Sequence, residues 1–219
     1  MGMNQETHQP KRIYLKDYQP PQYWIESVHR YFDLHEDKTR VTNTLKLTRN
    51  LNAIKNNEFR LNGEQLKLES IKIDGSPLEP SKFRIDEKFL HLVEPPEKFT
   101  LEIITIIEPQ KNLAFEGLYK SNGKFCTQCE AEGFRKITYF LDRPDVMSVF
   151  TVTVEADKKQ YPLLLSNGNK IDAKELGNGL NLVKWFDPYK KPSYLFALVA
   201  GVLAIVQDKF RTASGRDVT

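Results

Sequence analysis

Hydrophobic and polar residues alternate along much of this chain in short runs. In residues 41–49, Val41, Leu45 and Leu47 share one face and polar side chains share the other. A two-residue period of this kind predicts a β-strand with one buried face. Residues 23–34 are also rich in strand-forming residues, and the polar stretch 35–38 between the two runs predicts a hairpin turn.

Tight-turn dipeptides separate many of these runs. Asp-Gly occurs at 74–75, and Asn-Gly occurs at 62–63, 122–123, 167–168 and 178–179. These dipeptides supply the positive φ angles that two-residue hairpin turns require. Stretches that would form crossover helices are absent between the runs, which disfavours a doubly wound α/β sheet. The pattern therefore predicts an all-β sandwich or a barrel-like saddle.

One segment departs from the β pattern. Phe134, Ile137 and Leu141 recur at helical spacing, and Pro144 follows closely. The residue before a proline avoids the helical region, so a helix here would end by Arg143. The spacing predicts one short helical excursion near 130–141.

The chain divides into two unequal parts. Residues 1–21 are polar and carry Pro10, Pro20 and Pro21, so we expect an N-terminal polar arm that lies over the surface. Residues 22–219 show no low-complexity linker and no repeat, and we expect a single β domain there. The longest apolar stretch, 194–206, is shorter than the roughly 20 residues that a membrane helix needs. It predicts a buried strand pair or core segment, and no membrane partner is expected.

Composition and charge narrow the function classes. Hydrophobic residues make up 40% of the chain and charged residues 28%, which favours a packed core over disorder. The net charge is only +3, and basic residues do not cluster beyond Lys190-Lys191. No nucleic-acid partner is therefore expected. Because the N-terminus shows no secretory signal and the chain has two cysteines, we expect a cytoplasmic location.

Most residues of the chain that could carry chemistry are better explained by structural roles. The four histidines are His8, His29, His35 and His91, and no two have the spacing of a His-Glu-x-x-His zinc site. Cys126 and Cys129 form a C-x-x-C pair without the second pair of a zinc ribbon, so we interpret them as reduced, inert thiols. The remaining candidate is the polar stretch 128–133, which interrupts the β pattern and holds Gln128 and Glu130. Loops on a rigid scaffold often carry function, but glutamates in loops are usually only solvated.

The same region carries a resemblance to a known family. The stretch Cys-Thr-Gln-Cys-Glu-Ala-Glu-Gly-Phe-Arg-Lys-Ile-Thr-Tyr-Phe-Leu-Asp-Arg-Pro-Asp-Val-Met at 126–147 resembles the N-terminal domain of the M1 zinc metallopeptidases, and within them the bacterial alanyl aminopeptidases of the aminopeptidase N type. Residues 61–68, 117–119, 161–169 and 194–201 match in the same order, so the resemblance runs from about residue 18 to 218. It implies a saddle-shaped, mostly antiparallel β-sandwich.

The resemblance also implies a substrate-binding site. In this family the Gln and Glu of a Gln-x-Glu motif bind the free α-amino group of the peptide substrate, and the matching residues are Gln128 and Glu130. Amide and carboxylate oxygens are suitable acceptors for an ammonium group. The resemblance further implies a non-proline cis peptide bond between Glu130 and Ala131.

The motifs that carry the chemistry of this family are absent from the chain. The zinc-binding His-Glu-x-x-His pair, the third zinc ligand and the catalytic tyrosine lie in the next domain of family members. The resemblance therefore implies a fragment that is inactive alone, with no catalytic or metal-binding residue of its own. Zinc and the catalytic domain would belong to the full-length parent. The alternative is a free-standing β-sandwich module that binds peptide or carbohydrate.

Overall fold

The structure, a computed structural model, describes residues 12, 14–54 and 56–219. Within these residues the chain forms seventeen strands and five 3₁₀ helices of three or four residues. The strands are, in chain order, β1 (Tyr23–Leu34), β2 (Thr39–Arg49), β3 (Glu58–Asn62), β4 (Lys67–Ile73), β5 (Ser76–Pro77), β6 (Phe83–Ile85), β7 (Phe89–Val93), β8 (Lys98–Ile107), β9 (Gly117–Ser121), β10 (Lys124–Gln128), β11 (Ser148–Asp157), β12 (Leu163–Ser166), β13 (Asn169–Glu175), β14 (Leu180–Lys191), β15 (Leu198–Gly201), β16 (Phe210–Arg211) and β17 (Asp217–Val218). The 3₁₀ helices lie at Leu15–Asp17, Pro80–Lys82, Pro109–Lys111, Gly133–Lys136 and Ser193–Leu195.

Hydrogen bonds join the described strands into four sheets. The largest has eight strands in the order β13-β14-β11-β1-β2-β8-β4-β5, and a four-stranded sheet has the order β12-β15-β10-β9. A three-stranded sheet (β3-β7-β6) and the pair β16-β17 complete the set. Among these strands, β1 and β11 form the one parallel pair, and it joins two otherwise antiparallel halves of the large sheet. The predicted all-β, mostly antiparallel sandwich is confirmed.

The predicted first hairpin is confirmed in detail. Strands β1 and β2 pair antiparallel, with Leu34 opposite Thr39 across the polar turn. Val41, Leu45 and Leu47 are fully buried, whereas Lys46 between them is exposed. Because side chains alternate along a strand, this pattern puts one face of the hairpin into the core.

The predicted helical excursion is a single 3₁₀ turn, Gly133–Lys136. Phe134, Ile137 and Leu141 are all buried, as their spacing required. The chain then extends, and Phe140 forms an isolated bridge with Asn62. A longer helix would have to give up this backbone pairing.

The apolar stretch 194–206 matches its prediction only in part. It contains one strand, β15, which lies between β10 and β12, so the expected strand pair is wrong. The alternative, a core segment, holds for Phe196, Leu198 and Ala200, which are buried. Beyond Gly201 the side chains of Val202, Ile205 and Val206 are exposed. Both edges of β15 are already occupied, so the following residues have no free edge of this strand to pair with.

The expected N-terminal arm lies largely outside the described residues, which exclude 1–11 and 13. At its end, Tyr18 donates a hydrogen bond to the Asp145 carboxylate at 2.8 Å, and Arg143 donates to the carbonyl of Gln19 at 2.8 Å. Among the described residues, no helix is both long and apolar enough to cross a membrane.

Candidate functional site

Gln128 and Glu130 lie together at the end of strand β10. Gln128 is the last residue of the strand and pairs with Gly117 of β9, and Glu130 lies in the turn that follows. Both residues are exposed, whereas Cys129 between them is buried. The Gln128 Nε2 group donates to the Glu130 carbonyl oxygen at 3.2 Å. This bond uses the amide nitrogen, which leaves the amide oxygen available to accept a hydrogen bond.

The turn that carries Glu130 is closed by its own backbone. The Gly133 N–H donates to the Cys129 carbonyl at 2.9 Å. The peptide bond between Glu130 and Ala131 is cis, as the resemblance implied. The exposed residues of the turn thus project from a short loop with both ends held.

Close backbone packing supports the turn from below. A Cβ atom on Gly133 would lie 2.4 Å from the carbonyl oxygen of Gln128 and 2.9 Å from the backbone nitrogen of Gly117. Gly117 itself has a φ angle of 74°, which favours glycine. Position 133 therefore needs glycine for space and position 117 for its conformation, and together they bring β9, β10 and the turn into contact.

Asp142 ties this turn to a distant part of the chain. Its buried carboxylate accepts hydrogen bonds from the Arg135 backbone N–H at 3.1 Å and from Arg135 Nε at 3.0 Å. The other carboxylate oxygen accepts from Ser193 Oγ at 2.6 Å. Sequence reasoning missed all three residues. The one signal was an aspartate directly after the apolar pair at 140–141, in a segment whose apolar residues are buried.

The two exposed glutamates of the turn differ in their surroundings. Glu132 forms an ion pair with Arg135 at 3.1 Å. Glu130 has no ion-pair partner among the residues that the structure describes. An exposed carboxylate without a cationic partner can accept hydrogen bonds from an incoming cation.

The cysteines and the histidines are the other candidate groups that the sequence offers. Cys126 and Cys129 are free thiols, and burial raises the pKa of Cys129 to about 12. His91 is buried between Asp86, at 2.7 Å, and Glu58, at 3.1 Å. Its two ring nitrogens already have carboxylate partners.

His29 lies 3.4 Å from Thr153 Oγ1, and burial lowers its pKa. His35 pairs with Asp33 at 2.7 Å, whereas His8 lies outside the described residues. Across the described ranges, no group of three or more His, Cys, Asp or Glu side chains could hold a metal ion.

Comparison with known proteins gives consistent matches over the whole fold. The model of the peptidase M1 N-terminal domain family matches residues 20–195. Aminopeptidase N of Caulobacter vibrioides is 50% identical over 212 residues, which are 97% of this chain and 24% of that protein. Aminopeptidase N of Escherichia coli is 49% identical over the same shares of the two chains. The chain thus spans about a quarter of the length of these relatives.

Solved structures show the same relationship. A crystal structure of Legionella pneumophila aminopeptidase A in complex with aspartic acid superposes with a TM-score of 0.89 at 34% identity, over 93% of this chain and 24% of that one. An M1 zinc metallopeptidase from Deinococcus radiodurans, bound to a Tyr-Ser-Ala substrate, superposes with a TM-score of 0.74 at 15% identity, over 90% of this chain and 46% of that one. The second match concerns the fold alone.

Proposed function

This chain belongs to the peptidase M1 N-terminal domain family, and from that premise we propose that it supplies amine recognition to a longer zinc-dependent aminopeptidase. The substrate would be a peptide with a free N-terminus. Gln128 and Glu130 would bind its α-amino group. The observation that carries the proposal is the exposed Glu130 side chain, which has no ion-pair partner in the described residues and whose backbone carbonyl accepts a hydrogen bond from the Gln128 amide.

The chemistry of this pair suits an exopeptidase. A protonated amino group has three N–H donors, and the Glu130 carboxylate and the Gln128 amide oxygen can accept two of them. Holding the amino end at a fixed place determines which peptide bond reaches the reactive centre. A hydrogen bond to a charged group is worth about 1.5–3 kcal/mol. Since about 1.4 kcal/mol corresponds to a tenfold change in affinity, loss of the Glu130 charge should weaken binding by about 10- to 150-fold.

The zinc chemistry would belong to another part of the longer protein. When bound, zinc would activate a water molecule and polarise the scissile carbonyl. The described residues of this chain offer no suitable ligand group. We therefore propose that the 219-residue chain is inactive alone. Purified chain should neither bind one equivalent of zinc nor cleave an alanine anilide, and turnover that a chelator abolishes would contradict this.

A catalytic domain of the same polypeptide is the proposed partner. Exposed apolar side chains follow strand β15, which pairs directly with β10, the strand that ends at Gln128. They are Val202, Ile205, Val206 and Phe210. Exposed apolar groups of this number are typical of a surface that another domain covers.

The proposal is tested by Glu130→Gln in the full-length protein. We expect KM for alanine anilide to rise by about 10- to 150-fold, since the neutral amide cannot provide the charge-assisted bond. Glu132→Gln is the matched control, because Glu132 lies in the same turn and already pairs with Arg135. Its KM should stay near that of the parent. An unchanged KM for Glu130→Gln would rule out the amine-binding role.

A further inference from the structure

A buried arginine lies beneath the candidate site. Arg30 occupies a core-facing position of β1, between the buried residues Val28 and Phe32, and its side chain is 0% exposed. Its guanidinium carbon lies over the ring of Phe134 at 3.6 Å from the ring centre. Three further phenylalanine rings surround it at 5.1–5.4 Å, those of Phe140, Phe150 and Phe196.

This cation has few polar partners. Arg30 Nε donates to Asn43 Oδ1 at 3.3 Å, and Asn43 Nδ2 donates to the carbonyl of Tyr139 at 3.2 Å. The two terminal nitrogens have no hydrogen-bond partner among the described residues. Burial lowers the pKa of Arg30 to about 9, so the group remains protonated at neutral pH. A buried charge without a direct carboxylate partner is unfavourable for stability. Packing alone therefore does not explain an arginine at this position.

The position of Arg30 relative to the turn offers an explanation. Phe134, on which the guanidinium stacks, follows Gly133 directly, and Gly133 is hydrogen-bonded to Cys129. Cys129 is buried at the other end of the turn, where burial raises the pKa of its thiol to about 12 although the positive charge of Arg30 opposes the rise. Arg30 thus contacts the Phe134 end of the turn from its buried side, and Glu130 of the same turn is exposed.

We propose that Arg30 is a positioning residue for the amine site. Its guanidinium holds the ring of Phe134, and Phe134 holds the turn that presents Gln128 and Glu130. This inference rests on the proposed function of that pair. A planar guanidinium is suited to the role because it stacks flat on an aromatic ring, which the ammonium group of lysine cannot do.

The test compares Arg30→Met and Arg30→Lys in the full-length protein. Methionine fills similar space without charge, and replacing a buried ion by an apolar side chain is often neutral for stability. We expect both variants to raise KM for alanine anilide by about three- to tenfold, the size of effect typical when residues in contact depend on one another. The kcat of each variant should stay within about twofold of the parent. Should the Met variant fail to fold, the Lys variant decides by the same measurements.

A matched control separates positioning from general destabilisation. Leu101 is fully buried in β8, two strands away from β1 in the large sheet, and Leu101→Ala should lower the thermal midpoint while leaving KM unchanged. If Leu101→Ala raises KM as much as the Arg30 variants do at equal loss of midpoint, the positioning role is wrong.

A double-mutant cycle with Glu130→Gln completes the test. If Arg30 acts through Glu130, the Arg30→Met effect on KM should shrink to less than half when Glu130 is already replaced. Full additivity would overturn the inference. If Glu130→Gln raises KM but Arg30→Met does not, only the Arg30 role is wrong. If Glu130→Gln leaves KM unchanged, the proposed function fails and the Arg30 inference fails with it.

Discussion

Replacing Asp142 by alanine should destabilise the protein severely, because it removes the acceptor that joins two segments. The Asp142 side chain is 1% exposed, and it accepts two hydrogen bonds from Arg135 and one from Ser193. Three bonds to a charged group are worth about 4.5–9 kcal/mol before the desolvation of the carboxylate is subtracted. Removing one partner of a buried ion pair costs about 3–5 kcal/mol in net terms.

Urea unfolding followed by tryptophan fluorescence measures this loss. With a slope of about 1–3 kcal/mol per molar urea, we expect the midpoint of Asp142→Ala to fall by roughly 1–5 M. Ser193→Ala is the graded control, since it removes a single bond to the carboxylate and should cost about 1.5–3 kcal/mol. Asp142→Asn should fall between the two, because its amide can accept from Ser193 but cannot pair with Arg135 as a carboxylate does.

A small effect would refute this reasoning. If Asp142→Ala lost less than about 1 kcal/mol, the carboxylate would have no net stabilising role and its desolvation would offset all three bonds. If Ser193→Ala cost as much as Asp142→Ala, the two bonds from Arg135 would contribute nothing. Either result would mean that Asp142 does not stabilise the segment around Arg135 in the way that its hydrogen bonds indicate.

Three further results are expected. Gly133→Ala should cost about 1–3 kcal/mol of stability in thermal unfolding, because its Cβ would lie 2.4 Å from the carbonyl oxygen of Gln128. It should also raise KM of the full-length protein, and an unchanged thermal midpoint would contradict this reasoning. A thiol reagent should modify the partly exposed Cys126 quickly but should react with Cys129 only after denaturation. Cys129 is buried, and burial raises the pKa of its thiol to about 12. Rapid modification of both thiols would contradict this. Burial alone would raise the pKa of Glu58, but hydrogen bonds, first that from His91, lower it from 4.5 to about 2. The stability that this provides is present above pH 4.5 and is lost as pH falls towards 2. Glu58→Gln should therefore flatten the acid limb of a pH-dependent unfolding curve by about 1 kcal/mol, and an unaltered limb would exclude the effect.

Local features of the fold were predictable because they depend on neighbouring residues. Two of the five predicted dipeptides, Asp74-Gly75 and Asn122-Gly123, have positive φ angles at both positions, from 46° to 82°, as two-residue hairpin turns require. At 167–168 and 178–179 only the glycine has a positive φ angle, and at 62–63 neither residue has one. The alternation in β2 identified its buried face. The position of Gln128 and Glu130 as a candidate site came from a family resemblance, since residue types alone did not separate them from solvated loop residues.

Other features depend on residues far apart in the chain, which a single sequence does not bring together. Arg30 interrupts an apolar alternation, and only the fold shows that four phenylalanines from distant segments surround it. Asp142 meets Ser193 across 51 residues. Val202, Ile205 and Val206 are apolar yet exposed, because hydrophobicity alone does not indicate whether a partner strand is available.

The parallel pairing of β1 with β11 has a consequence for the order of folding. The Ser148 hydroxyl donates to the carbonyl of Ile25, 123 residues earlier, so closing this seam joins distant parts of the chain. Such long-range closure is slow, because its entropy must be lost before the contacts form. The whole turn from Cys129 to Phe134 lies inside the loop that the seam closes, and Arg30 on β1 lies beneath it. During synthesis β1 therefore cannot pair with β11 until β11 has left the ribosome. The turn would then pack against its neighbours among the last steps of folding.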